Sequence, residues 1–366
     1  MGTGMKPTLT LAAAIGLLVA GASHAQTSPP AAAQADTSLP IPLEVYEPPR
    51  SKHLTAPNCD SHVGFSESDA CRALLEGFEG WTELNFMVDP SGKPFEVSMT
   101  HSSGRKEFDA LAVKSLGTSS FVPASLNGVP IESGMSMKYE FTLIGATGAK
   151  REFIADYTAT ARAIEAGDRA AADVAVGKLE HEITNLYEDA YYGMASYLYA
   201  KKWGDQQQQL DALARAIAEE DRARYLPGKV FKAALQISMQ LQLSLQQYAE
   251  ALDTYKKMQT AGIAADVATA LKPVLANLDK LRTDATPYAI DGRTRSDGSW
   301  HLHLFKRHFQ VRVAAGYVAQ AKLRCQKRYL VFTLDPNLQY EVNGKAGDCW
   351  MELDGSPAAT FKLIQF

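Results

Sequence analysis

Apolar and polar positions alternate clearly between residues 80 and 143. Thr82, Leu84, Phe86 and Val88 recur at every second position, the period of a strand with one buried face. Asp89-Pro90-Ser91-Gly92 carries turn chemistry. Phe95, Val97 and Met99 then resume the alternation, so the two runs predict a β-hairpin. Upstream, Ser68 to Glu79 predicts a short helix. Downstream, Phe108, Leu111, Ala112, Ser115 and Leu116 follow the spacing of one helix face. After an Asn127-Gly128 turn, Met135, Met137, Tyr139, Phe141 and Leu143 alternate with Ser136, Lys138, Glu140 and Thr142. This predicts a strand with one wet face.

From 152 to 283 the pattern changes to Ala, Leu, Gln and Glu at helical spacing, with little proline. Gly167-Asp168 and Gly204-Asp205 each fall between helical stretches, and a third unit surrounds Tyr248-Ala249-Glu250-Ala251-Leu252. The stretch resembles degenerate tetratricopeptide helix pairs, whose period is ~34 residues. The alternative is an antiparallel bundle without a repeat. From 286 to 366 the period returns to two. Trp300, Leu302 and Leu304 alternate with His301 and His303, and Phe309, Val311 and Val313 with Gln310 and Arg312. Turn signals at Asp297-Gly298, Asn343-Gly344 and Gly355-Ser356-Pro357 predict a small β-sandwich or barrel.

The expected fold class is therefore α+β and multidomain. A β-hairpin/helix/β domain spans 58–145, an α-helical repeat domain 152–283, and a small disulfide-closed all-β domain 286–366. Residues 1–25 read as an export signal. Lys6 precedes an apolar run from Leu9 to Ala22, and Ser23-His24-Ala25 fits a cut before Gln26. Residues 26–57, rich in Pro and Ala, predict a linker with polyproline character and no core of its own. The expected location is the periplasm, or the inner membrane if the N-terminal helix stays uncut. Four cysteines in an exported chain favour two disulfides. The pairings nearest in sequence are Cys59 with Cys71 and Cys325 with Cys349, each worth ~3 kcal/mol by loop entropy. Free buried thiols are the alternative.

Gly80-Trp81 opens an ordered run, followed by Phe86-Met87-Val88-Asp89-Pro90-Ser91-Gly92-Lys93 and Val97-Ser98-Met99-Thr100-His101-Ser102-Ser103-Gly104. Phe108-Asp109-Ala110-Leu111-Ala112, Phe121-Val122-Pro123-Ala124 and Asn127-Gly128-Val129-Pro130 complete the order. With these motifs, the run from Glu79 to Leu143 resembles the C-terminal domain of TonB-type energy transducers. The resemblance implies that the sheet edge beside the last strand takes up a partner's extended segment by main-chain hydrogen bonds. It carries that role to Ser136, Lys138, Glu140 and Thr142, unless the helical domain covers the edge. It implies protein partners, such as an outer-membrane receptor or another envelope protein, and a link to TonB-dependent transport. A membrane-anchored energy transducer with an uncleaved N-terminal helix is the second reading.

Charge and motifs add exclusions. The net charge of −4, from 37 basic and 41 acidic residues, lacks the basic footprint of a nucleic-acid binder. Residues 26–150 carry net −6 and residues 286–366 net +4. The last domain is thus expected either to have its own partner face or to dock on the acidic part of the chain. His181-Glu182-Ile183-Thr184-Asn185 has Asn where a zincin motif needs its second His. His301, His303 and His308 read as polar-face residues with no carboxylate partner evident nearby. Arg324-Cys325-Gln326-Lys327-Arg328 reads as a solvated strand face. No nucleophile elbow or phosphate loop is present. The expectation is a non-enzyme with no cofactor, no metal and no nucleic-acid partner, touching membrane only through an uncleaved N-terminal segment. An exported enzyme with an unrecognised site is the third reading.

Overall fold

The computed structural model describes residues 44–55, 69–143, 148–218 and 225–366. The expected export signal (1–25) and most of the expected linker lie outside the described residues, as does Cys59. No helix among the described residues is long and apolar enough to cross a membrane.

Residues 44–55, expected to be linker, carry two short strands, β1 (Tyr46–Glu47) and β2 (Arg50–His53). Pro48-Pro49 separates them, because proline cannot donate to a ladder and is confined to strand ends and edges. Next come α1 (Asp69–Leu75), β3 (Gly80–Val88), β4 (Pro94–Ser102) and α2 (Lys106–Thr118). The short strands β5 (Ser120–Val122), β6 (Ala124–Leu126) and β7 (Val129–Ile131) lead to β8 (Ser133–Phe141). β1 pairs with β6 and β2 with β5, so the stretch expected as linker is held by backbone hydrogen bonds.

The central sheet is antiparallel in the order β4-β3-β8. β3 and β8 stay in register for nine pairs, from Gly80 opposite Phe141 to Val88 opposite Ser133. One face packs under α2. Phe108, Ala112 and Leu116 meet Leu84, Phe86, Val88, Tyr139 and Phe141, and the rings of Phe108 and Phe141 stack at 4.5 Å. The β3–β4 turn forms as expected. Asp89 Oδ1 accepts from the N–H groups of Ser91 and Lys93. Gly92 turns with φ 85°, and a Cβ there would lie 2.1 Å from the Phe121 carbonyl oxygen.

The alternation expected for β4 breaks. Met99 is exposed while Thr100 is buried. Two register shifts against β3 insert extra residues, and Glu96 adopts φ 49°. Each β-bulge moves the following side chains to the opposite face.

Among the described residues seven helices follow: α3 (Arg151–Ala166), α4 (Arg169–His181), α5 (Leu186–Trp203), α6 (Gln206–Ala216), α7 (Gly228–Ser244), α8 (Tyr248–Thr260) and α9 (Ala264–Thr283). Both Gly-Asp dipeptides are interhelical turns. Asp168 and Asp205 are N-caps, accepting from Ala171 and Gln208 N–H, and so satisfy donors that a helix start leaves open. α3 packs on α4, α5 on α6 and α7 on α8. The α5–α6 approach is so close that a Cβ on Gly193 would meet the Ala216 nitrogen at 2.6 Å.

The last part has β9 (Tyr288–Arg293), β10 (Ser299–His303), β11 (His308–Ala315), β12 (Val318–Cys325), β13 (Arg328–Thr333), β14 (Tyr340–Glu341), β15 (Cys349–Gly355) and β16 (Thr360–Gln365). They form two antiparallel sheets, β10-β15-β12-β13 and β14-β11-β16-β9. Leu302, Phe309, Leu323, Leu353 and Leu363 fill the core, which extends to Ala249 of α8 and Leu278 of α9. A disulfide joins Cys325 and Cys349, directly opposed on β12 and β15. Cys71 is also disulfide-bonded. Glu44–Phe366 forms one compact unit.

Candidate partner-binding edge

Among the described residues β8 pairs with β3 alone, which makes β8 an edge strand over its whole length. The four residues singled out from the sequence lie along it, with Thr142 one position beyond its end. Ser136 and Thr142 are exposed. The Ser136 hydroxyl donates to Glu83 Oε1 at 3.4 Å. The Lys138 ammonium donates to the Ala218 carbonyl and lies 3.4 Å from Glu140 Oε1.

The expected wet face is wet only in part. The side chains of Lys138 and Glu140 are only 23% and 11% exposed. The helical layer covers this face. Trp81 Nε1 donates to Asp189 Oδ2 of α5 at 3.0 Å, in a buried setting. Arg215 of α6 pairs with Asp189 Oδ1 at 2.7 Å and donates to the Ser103 carbonyl. Glu79 accepts from the N–H groups of Leu143 and Leu186, tying the end of the sheet to the start of α5. Burial pushes the Asp189 carboxyl up, against the pull of Arg215.

The sandwich covers the other end of the same face. A Cβ on Gly134 would lie 3.3 Å from the Cys325 carbonyl oxygen. Arg324 Nε donates to the Glu96 carbonyl, and Arg295 to that of Thr100. Tyr46 donates to the Gln326 carbonyl and shares a hydrogen bond with Ser133 Oγ, while Lys327 pairs with Glu44. The basic run 324–328 is therefore not a solvated strand face. Arg324 and Lys327 hold the sandwich against the acidic N-terminal part, the second of the two outcomes that the charge asymmetry allowed.

Histidines 301 and 303 do have carboxylate partners. His301 Nδ1 lies 3.7 Å from Glu352 Oε2, which also takes Arg324 NH1 at 2.6 Å. Burial pushes the His301 imidazole down to about 4, against the pull of Glu352. Burial alone would raise the Glu352 carboxyl, but Arg324, His301 and Lys322 hold it down at about 2. His303 Nδ1 lies 3.0 Å from Asp253 Oδ2 of α8, and its backbone N–H donates to Glu250 Oε1. Burial pushes the Glu250 carboxyl up to about 7. Asp253 lies 50 positions away in sequence, and no local signal announces the pairing.

Sheet, α8 and sandwich meet at a cleft of about 270 Å³. Met135 and Ser136 border it on the β8 side, Asp253 and Lys256 on α8, and His303 and Trp350 on the sandwich. The His303 and Trp350 rings stack at 4.8 Å. Ser136, His303 and Asp253 are the residue types of a nucleophilic triad, but Ser136 gives its hydrogen bond to Glu83. Among the described residues no group of three or more His, Cys, Asp or Glu is placed to hold a metal.

The family model for the Gram-negative bacterial TonB protein C-terminal matches residues 71–143. Protein tonB2 of Pseudomonas aeruginosa is 37% identical over 71 residues, which are 19% of this chain and 26% of that protein. The chain thus spans about a quarter of that relative's length. The solution structure of the Pseudomonas aeruginosa TonB C-terminal domain aligns with 28% of this chain and 89% of that one, at 17% identity and a TM-score of 0.21. The family match covers the hairpin, α2 and the edge strand β8, and it supports a TonB-type C-terminal domain in this stretch of the chain.

Proposed function

We propose that this protein is a periplasmic interaction module that captures an extended segment of an envelope protein by strand addition to β8, in the service of TonB-dependent transport. The observation that carries the reading is that β8, inside the family match, pairs on one side only among the described residues. An edge of this kind presents a row of main-chain donors and acceptors. The covered face also fits. Docking on helices and sandwich fixes the sheet and leaves partner capture to the edge of β8 rather than to Lys138 and Glu140 as a free face. The paired helices, read as tetratricopeptide-like, supply a rigid scaffold behind the sheet. Residues 1–25 act as the export signal.

The test is crosslinking with a photoreactive residue placed at Thr142 or Ser136, beside one at Met99 on β4 at the opposite edge. Envelope partners captured from the β8 positions but not from Met99 support the reading. Equal capture from both edges overturns it. Lys138→Pro, which bars strand addition at its position, should abolish capture while circular dichroism stays unchanged. Undiminished capture by a folded Lys138→Pro protein would sink the proposal.

A further inference from the structure

Glu250 of α8 faces the sandwich in the seam between α8 and β10. Its Oε1 accepts the backbone N–H of His303 at 2.8 Å, and its Oε2 is buried with no hydrogen-bond partner among the described residues. We infer that this seam is a proton-gated joint, closed while Glu250 holds its proton and parted, with water admitted, once that proton has left to solvent. The inference concerns how the helices sit on the sandwich and does not rest on the strand-addition reading.

The surroundings offer a carboxylate one donor. Tyr248, Tyr288 and Phe305 form an aromatic group between α8 and the sandwich, with ring centroids 4.8 Å apart for Tyr248 and Tyr288 and 5.4 Å for Tyr248 and Phe305. The Tyr288 hydroxyl is buried and also lacks a partner among the described residues. Burial and then the Glu250 charge push its ionisation up, so it stays neutral. The cations nearby are committed elsewhere. Lys306 donates to the Asp284 and Thr286 carbonyls and to the Asp284 carboxylate, Lys256 pairs with Asp253 at 2.8 Å, and the Arg282 guanidinium of α9 lies 5.0 Å over the Phe305 ring. Asp253, one turn along α8, sets a like charge against Glu250, and His303 of β10 works the other way.

A carboxylate with a single donor and no paired cation does not stay dry. Protonated, Glu250 keeps the His303 bond and carries no charge. Burial holds that proton on, raising the carboxyl from 4.5 to about 7 against the pull of the His303 N–H. Ionised, Glu250 needs water at Oε2. Because that atom is buried between the two elements, water reaches it when α8 moves off β10. The seam also runs into the cleft beside β8, to which α8 gives Asp253 and Lys256 and β10 gives His303. Parting the seam changes the wall of that cleft.

In the parted seam the carboxyl returns to its ordinary 4.5. The ratio of parted to closed seam therefore rises with pH from 4.5 to about 7 and levels above that. Between pH 5 and pH 8 the rise is on the order of 10- to 100-fold.

Amide hydrogen exchange on the intact chain at pH 5, 6, 7 and 8, corrected for the intrinsic rate, tests the joint. Protection of His303 and of the α8 amides should fall by that factor, while protection of Val311 and Leu363, paired between β11 and β16, stays within about threefold. Glu250→Gln has no proton to give up and should flatten the profile. His303→Gln keeps the backbone donor and removes the imidazole, so the fall should persist. A flat profile in the unaltered chain overturns the joint, as does a fall that survives in Glu250→Gln or vanishes in His303→Gln. An equal fall at Val311 and Leu363 means that the sandwich loosens as a whole, and overturns it too. Should Glu250→Gln not fold, the carboxyl carbon shift of Glu250 decides. A midpoint near 7 in step with the exchange profile supports the joint, and any other midpoint overturns it.

Discussion

Trp81 and Asp189 are joined by a buried hydrogen bond of 3.0 Å across 108 positions of sequence. The tryptophan belongs to the Gly-Trp that opens the TonB-type stretch, and the aspartate sits in the first turn of α5. Asp189 accepts the indole N–H with one oxygen and the Arg215 guanidinium with the other. The bond fastens the sheet to the helical layer and turns an expected solvent face into an interface. Asp189→Ala should cost ~3–5 kcal/mol in urea unfolding, because it strands the mostly buried Arg215 charge. Trp81→Phe should cost less, and the double-mutant cycle should give a coupling of ~0.5–3 kcal/mol. Additive effects would mean that the two side chains do not act together.

Two buried groups titrate against each other. Glu250 is raised from 4.5 to about 7, so the folded state holds its proton longer than the unfolded chain. Its stabilising contribution is full below pH 4.5 and lost as pH rises through about 7. His301 is lowered from 6.5 to about 4, so its contribution is present above pH 6.5 and lost as pH falls through about 4. The slopes have opposite signs and overlap between about pH 4.5 and 6.5. Glu250→Gln should expose a stability that rises with pH across this window, and His301→Phe one that falls. Chemical denaturation at half-unit pH steps reads both slopes, and a flat profile in either variant would refute its assignment.

Reduction of the Cys325–Cys349 disulfide opens a loop of 24 residues separation. Loop entropy sets the loss at about 3 kcal/mol. The Cys325→Ala/Cys349→Ala protein should unfold at correspondingly lower denaturant. Its sandwich should also release Arg324 from Glu96, so amide exchange at Gly134 and Glu96 should quicken together.

Gly92 pairs a positive φ with a carbonyl where its side chain would be. Gly92→Ala should destabilise by more than ~1 kcal/mol, since the backbone cannot relax without breaking the contact with Phe121. A thermal unfolding midpoint equal to that of the unaltered chain would show that the turn has another way to close.

The hairpin, α2 and β8 were legible because each is local. Period-two alternation, Asp-Pro-Ser-Gly and Asn-Gly turns, and the Phe108–Leu116 spacing all act within about ten residues, the reach of one strand or helix pattern. The Gly-Asp turns between helices were legible for the same reason, since an N-cap needs only the next three residues. β4 was misread at Met99 because a bulge changes phase without a residue that marks it. The His303–Asp253 pair was missed because its members stand on a strand and a helix far apart in the chain.

Local patterning was enough to set the order of the longer elements, the strand character of β8 and the Cys325–Cys349 pairing as the nearest available one, but not the short strands β1, β2 and β5 to β7. Tertiary packing chose which faces of those elements meet water. Alternation says that Ser136, Lys138 and Glu140 share a face, but solvent and a second polar layer leave the same signature of polar residues. Asp189 meets Trp81, Arg215 meets Ser103 and Arg324 meets Glu96 from distant positions, and only their arrival in space made this side of the sheet an interface with a cleft at its margin.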